Sequence, residues 1–304
     1  MANETLNSTL GDLRASQVLN RDLHILLEDA TDLRGLATMY TFNPGGSLVQ
    51  KIGKYQDKYD FAGVGENTAA VNTAIVDGSL TLTPARKVLR FEVSDLAELG
   101  GGDVGAGSAE FQGSIVRSVG RYASQLICSL FPSFSENVGG GAGVDFSVDN
   151  AFSAIFAANA ALNSEEQDLV LKPHSYNEFA NSLRGESGAV ARLDTQNEAV
   201  LSAAGVGLNA VWMGRRIWST DHVVEGSGVA NNALVGRGAI AMLEAPVARM
   251  RAVFNRDVTF EDAVLLVTSV MDDEKGTVRL IGNYYPAVAI QEDARGVLIA
   301  SDDA

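Results

Sequence analysis

From Phe111 to Leu130, apolar side chains recur every three or four positions. Phe111, Ile115, Val119, Tyr122, Leu126 and Leu130 form the stripe, and Val116, Ala123 and Ile127 widen it. Arg117, Arg121 and Gln125 fall off that stripe. The period is that of an α-helix with one apolar face, and "FPSF" at 131–134 ends it. A helix this long needs an equally long apolar surface to lie on. At 304 residues the chain can supply one, as one large domain or two modest ones.

The stretch before the helix, "LGGGDVGAGSAEFQG" from Leu99 to Gly113, invites comparison with a phosphate-binding loop, because glycine-rich turns that open helices cradle anions. The spacing excludes it. After Gly105-Ala106-Gly107 a dinucleotide loop needs glycine at 110, where Glu110 puts a carboxylate in the anion's place. The preceding "VSDLAEL" does not read as a buried strand, and no G-x-x-x-x-G-K-[ST] occurs in the chain. Glu110 instead suits the positive end of a helix, worth about 0.3–1 kcal/mol. Gly101 and Gly105 therefore mark a flexible joint into the helix.

Upstream, residues 1–42 read as one or two short helices: Leu13, Val18, Leu19, Leu23, Leu26 and Leu27 keep helical spacing, and "TDLRGLATMYTF" adds a second piece. "NPGG" at 43–46 closes the segment. Residues 47–93 then hold two extended runs around a small-residue excursion, "FAGVGENTAAVNTAIVDGS". The returning run "LTLTPARKVLRFEV" alternates, with Leu80 and Leu82, then Leu89, Phe91 and Val93, on one side. This predicts a drawn-out β-hairpin arm with too little apolar content for its own core. Lys51, Lys54 and Lys58 lie on it, half of the six lysines in the chain. They are candidates for bridging to an acidic neighbouring subunit.

Downstream, a second helix is predicted over about 149–162, with Phe152, Ile155, Phe156 and Leu162 inward. "DLVLKP" (168–173) reads as a short buried strand. "SYNE" (175–178) has the capping-box pattern, which predicts that Ser175 launches a short helix carrying Phe179 and Leu183. "GRRIWS" and "NALVGRGAIAMLEA" each read as a strand. "AVLLVTSV", the turn "MDDEKG" and "TVRLIGNYYPAVAIQ" form an antiparallel pair. The fold class is α+β, without internal repeats or a dividing linker.

Signatures of chemistry are missing. "GESGA" (185–189) misses the G-x-S-x-G elbow by one place. His24, His174 and His222 are widely separated, and Cys128 sits on an apolar helix face, unsuited to a thiolate. "MDDEKG" lacks the calcium-loop pattern. No cofactor, metal site or catalytic group is expected. A formal charge of −15 argues against gripping a phosphate backbone, though not against enclosing nucleic acid. The single cysteine excludes an internal disulfide. No apolar run approaches the roughly 20 residues of a membrane span, and the N-terminus lacks signal-peptide features. A soluble, intracellularly made chain is expected, with no membrane partner.

The order of elements carries the family resemblance. A helical arm precedes an extended hairpin loop and a long helix; then come a helix, a strand ending in Pro173, a short helix and long closing strands. This resembles the major capsid protein of tailed bacteriophages, a fold shared with encapsulins and the herpesvirus capsid floor. "LTLTPARKVLRFEVSDLAEL" is similar to the family's loop strand running into its spine helix. "NAFSAIFAANAALNSEEQDLVLKPHSYNEFANSLRGESGA" resembles its helix–strand–P-x-x-[YW]–helix segment. "GRRIWSTDHVV" resembles its G-x-P-V strand, with Arg216 where proline is usual, and "GNYYPAVAIQ" its closing strand.

The resemblance implies an N-terminal arm (1–46), an extended β-hairpin loop (47–92), a peripheral domain with spine helix and long strands (93–135 and 246–304), and a mixed axial domain (136–245). It implies a structural shell protein of the virion, assembled in the host cytoplasm. Copies would form the hexamers and pentamers of an icosahedral head around double-stranded DNA, without sequence-specific binding. Scaffolding, portal and decoration proteins are the implied partners; with no obvious long coiled-coil extension before the arm, the scaffold would be a separate protein or the chain a processed form. Lys51, Lys54, Lys58, Gly101, Gly105, Arg117 and Arg121 are the candidate assembly residues. Some members cross-link a loop lysine to a partner asparagine, but no asparagine or carboxylate here pairs with these lysines by motif. An encapsulin-type shell is the alternative within the fold; a soluble α+β enzyme is the alternative outside it.

Overall fold

The computed structural model describes residues 33–42, 49–55, 77–94, 109–162, 166–186, 193–194, 208–245, 265–272 and 277–303. The long helix is α1, Ala109–Cys128. Ile115, Val119, Ala123 and Ile127 are buried at successive turns, while Arg117, Arg121 and Gln125 are exposed on the other side. The helix stops where the Ser129 hydroxyl donates to the Leu126 carbonyl at 2.6 Å, and Pro132 lies in the 3-10 turn that follows. Phe131 and Phe134 stack at 6.2 Å beneath that turn and seal the helix end.

Strands numbered β1 to β16 along the chain form four sheets among the described residues. The largest runs β5 (Glu136–Gly139), β16 (Gly296–Asp302), β11 (Val229–Gly236), β6 (Gln167–Leu171), β9 (Arg215–Ser219), β8 (Leu208–Trp212) and β7 (Leu193–Asp194), with β10 (Glu225–Gly226) paired to β11. It is mixed: β16 with β5 and β6 with β9 are parallel, the other pairs antiparallel.

This sheet separates two cores. Val170, Trp218, Ala233, Val235 and Leu298 face one way, onto Ala123, Ile127 and Cys128 of α1. Their immediate neighbours Leu169, Leu171, Ile217, Leu234, Val297 and Ile299 face the other. There they meet α2 (Val148–Leu162) and α3 (Pro173–Ser182). The alternation is the two-residue period of a strand, and a strand covered on both faces reads as an unbroken apolar run, as in "DLVL". Phe179 and Trp212 meet edge to face at 5.1 Å, and Phe146 and Phe179 at 5.7 Å. Gly296 begins β16 because the backbone lies against Phe134; a Cβ there would stand 2.1 Å from the ring.

A three-stranded sheet places β12 (Ile240–Glu244) between β1 (Ala37–Tyr40), parallel, and β15 (Pro286–Ile290), antiparallel. Another pairs β14 (Thr277–Tyr284) with β13 (Leu265–Asp272) and β4 (Lys87–Ser94). The hairpin predicted upstream is present at its base: β2 (Gln50–Tyr55) pairs antiparallel with β3 (Asp77–Leu82). Leu82 is buried with Phe42, Ala241, Leu243 and Ala287, and Ile52 and Leu80 pack against them. The arm is thus fastened to the three-stranded sheet.

Several expectations are corrected. "TDLRGLATMYTF" is a 3-10 turn (Leu33–Leu36) and then β1, not a helix, because pairing with β12 satisfies its backbone. "NALVGRGAIAMLEA" spans two strands, β11 and β12, which part at the Arg237-Gly238 turn into different sheets. "TVRLIGNYYPAVAIQ" divides likewise at Tyr285 into β14 and β15, and the run "LTLTPARKVLRFEV" divides after Leu82 into β3 and β4. The capping box is not used. α3 begins two residues earlier, at Pro173, and Ser175 lies inside it with its hydroxyl turned to the core. Phe156 does not face inward; it is 70% exposed. Strand β16, expected with the peripheral segment, lies within the large sheet, and β12 of the axial segment lies outside it.

Candidate assembly surfaces

On the hairpin base, Lys51 stands opposite Thr81 and is exposed, while Ile52 and Leu80 turn inward. Lys54 lies on the same strand three residues on, opposite Gly78. Arg117 and Arg121 are exposed one turn apart on α1. Lys58, Gly101 and Gly105 lie outside the described residues, as do His24 and most of the small-residue excursion. Lys51 and Lys54 therefore share a strand and Arg117 and Arg121 share a helix face, two separate sets.

Among the described residues several interior polar groups are tied to structural partners, while the buried Trp218 Nε1 and Asn283 Nδ2 have no hydrogen-bond partner. The Lys172 N–H donates to the Asn232 side-chain carbonyl at 2.7 Å. The Asn232 amide donates to the hydroxyls of Ser175 (3.1 Å) and Ser301 (2.9 Å), which are themselves 3.0 Å apart. All three side chains are fully buried, so each hydrogen bond replaces lost water. The Lys172 ammonium touches the carboxylates of Glu225 and Asp303. Burial works against its charge, but hydrogen bonds and attraction from Asp303 and Glu225 outweigh this and raise its pKa.

Arg216 holds Asp168 with two bonds, Nε to Oδ1 at 2.8 Å and Nη2 to Oδ2 at 2.5 Å. Glu178 accepts the Phe146 N–H at 2.8 Å and lies 3.0 Å from His174 Nε2. The Tyr284 hydroxyl donates to Glu244, whose carboxylate lies 3.5 Å from Arg34. Burial, then the Glu244 charge, raises the Tyr284 pKa, so the phenol stays a donor. Burial pushes the Cys128 thiol up to about 12, far from a nucleophilic thiolate. Among the described residues no cluster of His, Cys, Asp or Glu could hold a metal ion, and no helix is long and apolar enough to cross a membrane.

A polar groove of about 470 Å³ runs between residues Gly35–Met39 and the ends of β6, β9 and β11, lined by Glu166, Asp168, Arg216 and Arg237. Neither this groove nor the exposure of Phe156 and Met213 was visible in sequence. The one available signal for the buried network was "NN" within the apolar run of β11, since an asparagine in a covered strand needs partners.

No protein-family model matches the chain. No curated protein matches it either. Solved structures do, along nearly their whole length. The capsid of Ralstonia phage GP4 superposes with a TM-score of 0.64 at 8% identity, covering 88% of this chain and 87% of that one. The capsid of an empty GTA particle, computed with C5 symmetry, gives 0.59 at 15% identity over 90% of each chain. The holo-SrpI encapsulin complex from Synechococcus elongatus PCC 7942 gives 0.58 at 12% identity over 89% and 87%.

The protein thus has the α+β fold of shell-forming subunits. More particularly, it is the major capsid protein fold of tailed phages, in which encapsulins share.

Proposed function

We propose that this protein is the structural major capsid protein of a tailed-phage head, and that it acts by burying surface between copies rather than by catalysis. The observation that carries the reading is the likeness to capsid subunits over about nine-tenths of both chains. The paired interior adds support, because its charged and nucleophilic groups are committed to holding elements together. Copies would associate as hexamers and pentamers in a virion shell around double-stranded DNA, assembled in the host cytoplasm with separate scaffolding, portal and decoration proteins. Interfaces of this obligate kind commonly bury about 2,000 Å² or more.

In this reading residues 1–46 are the arm, 47–92 the loop, 93–135 with 246–304 the peripheral domain and 136–245 the axial domain, save that β16 joins the large sheet of the axial segment and β12 lies outside it. Lys51, Lys54 and Lys58 on the loop, and Arg117 and Arg121 on α1, offer cations to acidic neighbours. Gly101 and Gly105 let the joint between loop and helix bend differently in hexamers and pentamers. The acidic charge of −15 suits a lumen from which DNA must be free to leave.

The encapsulin likeness supports a second reading, a compartment holding cargo protein. Negative-stain microscopy and sedimentation of the purified chain, alone and with scaffold, test both. Shells or capsomers are expected; a monomer near 32 kDa under both conditions would sink the shell reading. Particles recovered from producing cells then separate the two, since nuclease-protected DNA marks a head and a stoichiometric second protein marks a compartment.

A further inference from the structure

Two chain segments pass side by side from one sheet to another. β3 ends at Leu82 in the hairpin base, and β4 begins at Lys87 in the β13–β14–β4 sheet. β14 ends at Tyr284 in that sheet, and β15 begins at Pro286 against β12. The β4–β14 ladder closes on the pair Lys87 and Tyr284, so the same register carried two residues on sets Ala85 opposite Pro286. There the Ala85 N–H donates to the Pro286 carbonyl at 3.2 Å. An antiparallel pair of this kind exchanges two bonds, and the second needs an N–H that proline lacks. The ladder is therefore reduced to one bond at the level where both strands change sheets. Pro84 stands in the other link, and residues 83–86 belong to no strand.

A second observation marks the same place. Arg86, in the link, donates through Nε and Nη2 to Asn283 Oδ1 at 3.0 and 2.8 Å, yet the buried Asn283 Nδ2 has no acceptor. A buried donor left unpaired carries a standing penalty, and a rearrangement that brings it an acceptor recovers that penalty. The contacts that tie this end of the sheet to the body are polar or edge-on. The Tyr284 hydroxyl donates to Glu244 of β12, and Arg34 lies 3.5 Å from the same carboxylate. The Tyr284 ring meets Tyr122 of α1 edge to face at 6.4 Å, and the Lys87 ammonium stands 5.5 Å over the Tyr122 ring.

A hinge needs a few residues at element ends that absorb backbone rotation, with rigid bodies on either side. Residues 83–86 and Tyr285 supply the first, and the β4–β14 and β12–β15 ladders the second. We infer that the β13–β14–β4 sheet pivots against the body about the paired links at Ala85 and Pro286, with the Tyr284 hydroxyl on Glu244 as the latch of one orientation. The pivot belongs to the single subunit and does not rest on the shell reading. It gives one sequence two shapes, at the cost of a single contact between them.

The test measures a distance in the unassembled full-length protein by pulsed electron–electron spin resonance. Nitroxides are placed at Arg90→Cys on β4 and Gln125→Cys on α1, both exposed, in a Cys128→Ala background. Two resolved distances or one broad distribution are expected. Tyr284→Phe removes only the latch hydroxyl and should move the population away from the latched distance about fivefold, the factor one hydrogen bond commands. Pro286→Ala restores the missing N–H and should narrow the distribution toward a single distance. Hydrogen exchange of the β4–β14 amides is the control; it should stay slow throughout, because a pivot moves the ladder without opening it. A single narrow distance unmoved by both substitutions would overturn the inference. So would a new distance that arises only together with fast exchange in the ladder, since that is local unfolding. Neither result bears on shell formation, which the microscopy described above decides.

Discussion

Arg216 grips Asp168 through Nε and Nη2 across the parallel pair β9 and β6, at 2.8 and 2.5 Å. The two residues are 48 apart in sequence, and the Asp168 side chain is only 7% exposed. Arg216 stands where proline is usual in the resembling family. A proline could not donate to Asp168, and the guanidinium also lies 5.7 Å from the Trp218 ring.

Removing Arg216 should therefore strand a buried carboxylate. Arg216→Ala is expected to lower subunit stability by about 1–3 kcal/mol, measured by urea denaturation. Arg216→Lys should recover only part of the loss, because lysine cannot form the two-point contact. Equal stability of the wild type and the alanine variant would show the pair to be inert.

The buried thiol makes an alkaline prediction. The Cys128 pKa is raised in the fold from 9.0 to about 12, so its protonated form is favoured by folding. Its contribution is fully present below the unfolded value and is lost as pH rises through the folded one. Between about pH 9 and 12 the wild type should therefore lose up to roughly 1.4 kcal/mol per pH unit relative to Cys128→Ala. Denaturation midpoints of the two proteins across that range measure the difference. Alkylation of Cys128 should likewise require unfolding.

Gly296 tests the seal beneath α1. A Cβ there would meet the Phe134 ring at 2.1 Å, and a stacked ring cannot simply retreat. Gly296→Ala should cost about 1–3 kcal/mol by overpacking. Adding Phe134→Ala should make the two changes less than additive in a double-mutant cycle, since the second removes the clash.

The surface cations should matter for assembly and not for folding. Lys51, Arg117 and Arg121 are exposed, so reversing them to Glu should shift subunit stability by less than about 0.5 kcal/mol. Lys51→Glu with Lys54→Glu, and separately Arg117→Glu with Arg121→Glu, should each weaken particle formation in light scattering. Unchanged assembly kinetics in both pairs would remove these residues from the interface.

The sequence alone determined the elements whose signal is local. The stripe from Ile115 to Ile127 specified α1 because each apolar residue meets its neighbour one turn away, whatever lies opposite. "DLVL" specified a covered strand, and the two extended runs a hairpin, because strand period and turn chemistry act over a few residues. The glycine test excluded a phosphate loop for the same reason, since Glu110 sits inside the motif itself.

Tertiary structure decided where those elements join. Nothing in "NALVGRGAIAMLEA" says that one sheet ends at Gly236 and another begins at Ile240, because both strands are apolar and only their partners differ. Ser175 has a cap's sequence context, yet Asn232 and Ser301, 57 and 126 residues further along the chain, draw its hydroxyl inward. Phe156 keeps inward spacing on α2, but the helix is apolar nearly all round, so spacing could not choose its buried face. Burial did so, through the alanines that fit closely against the large sheet and the phenylalanine that did not.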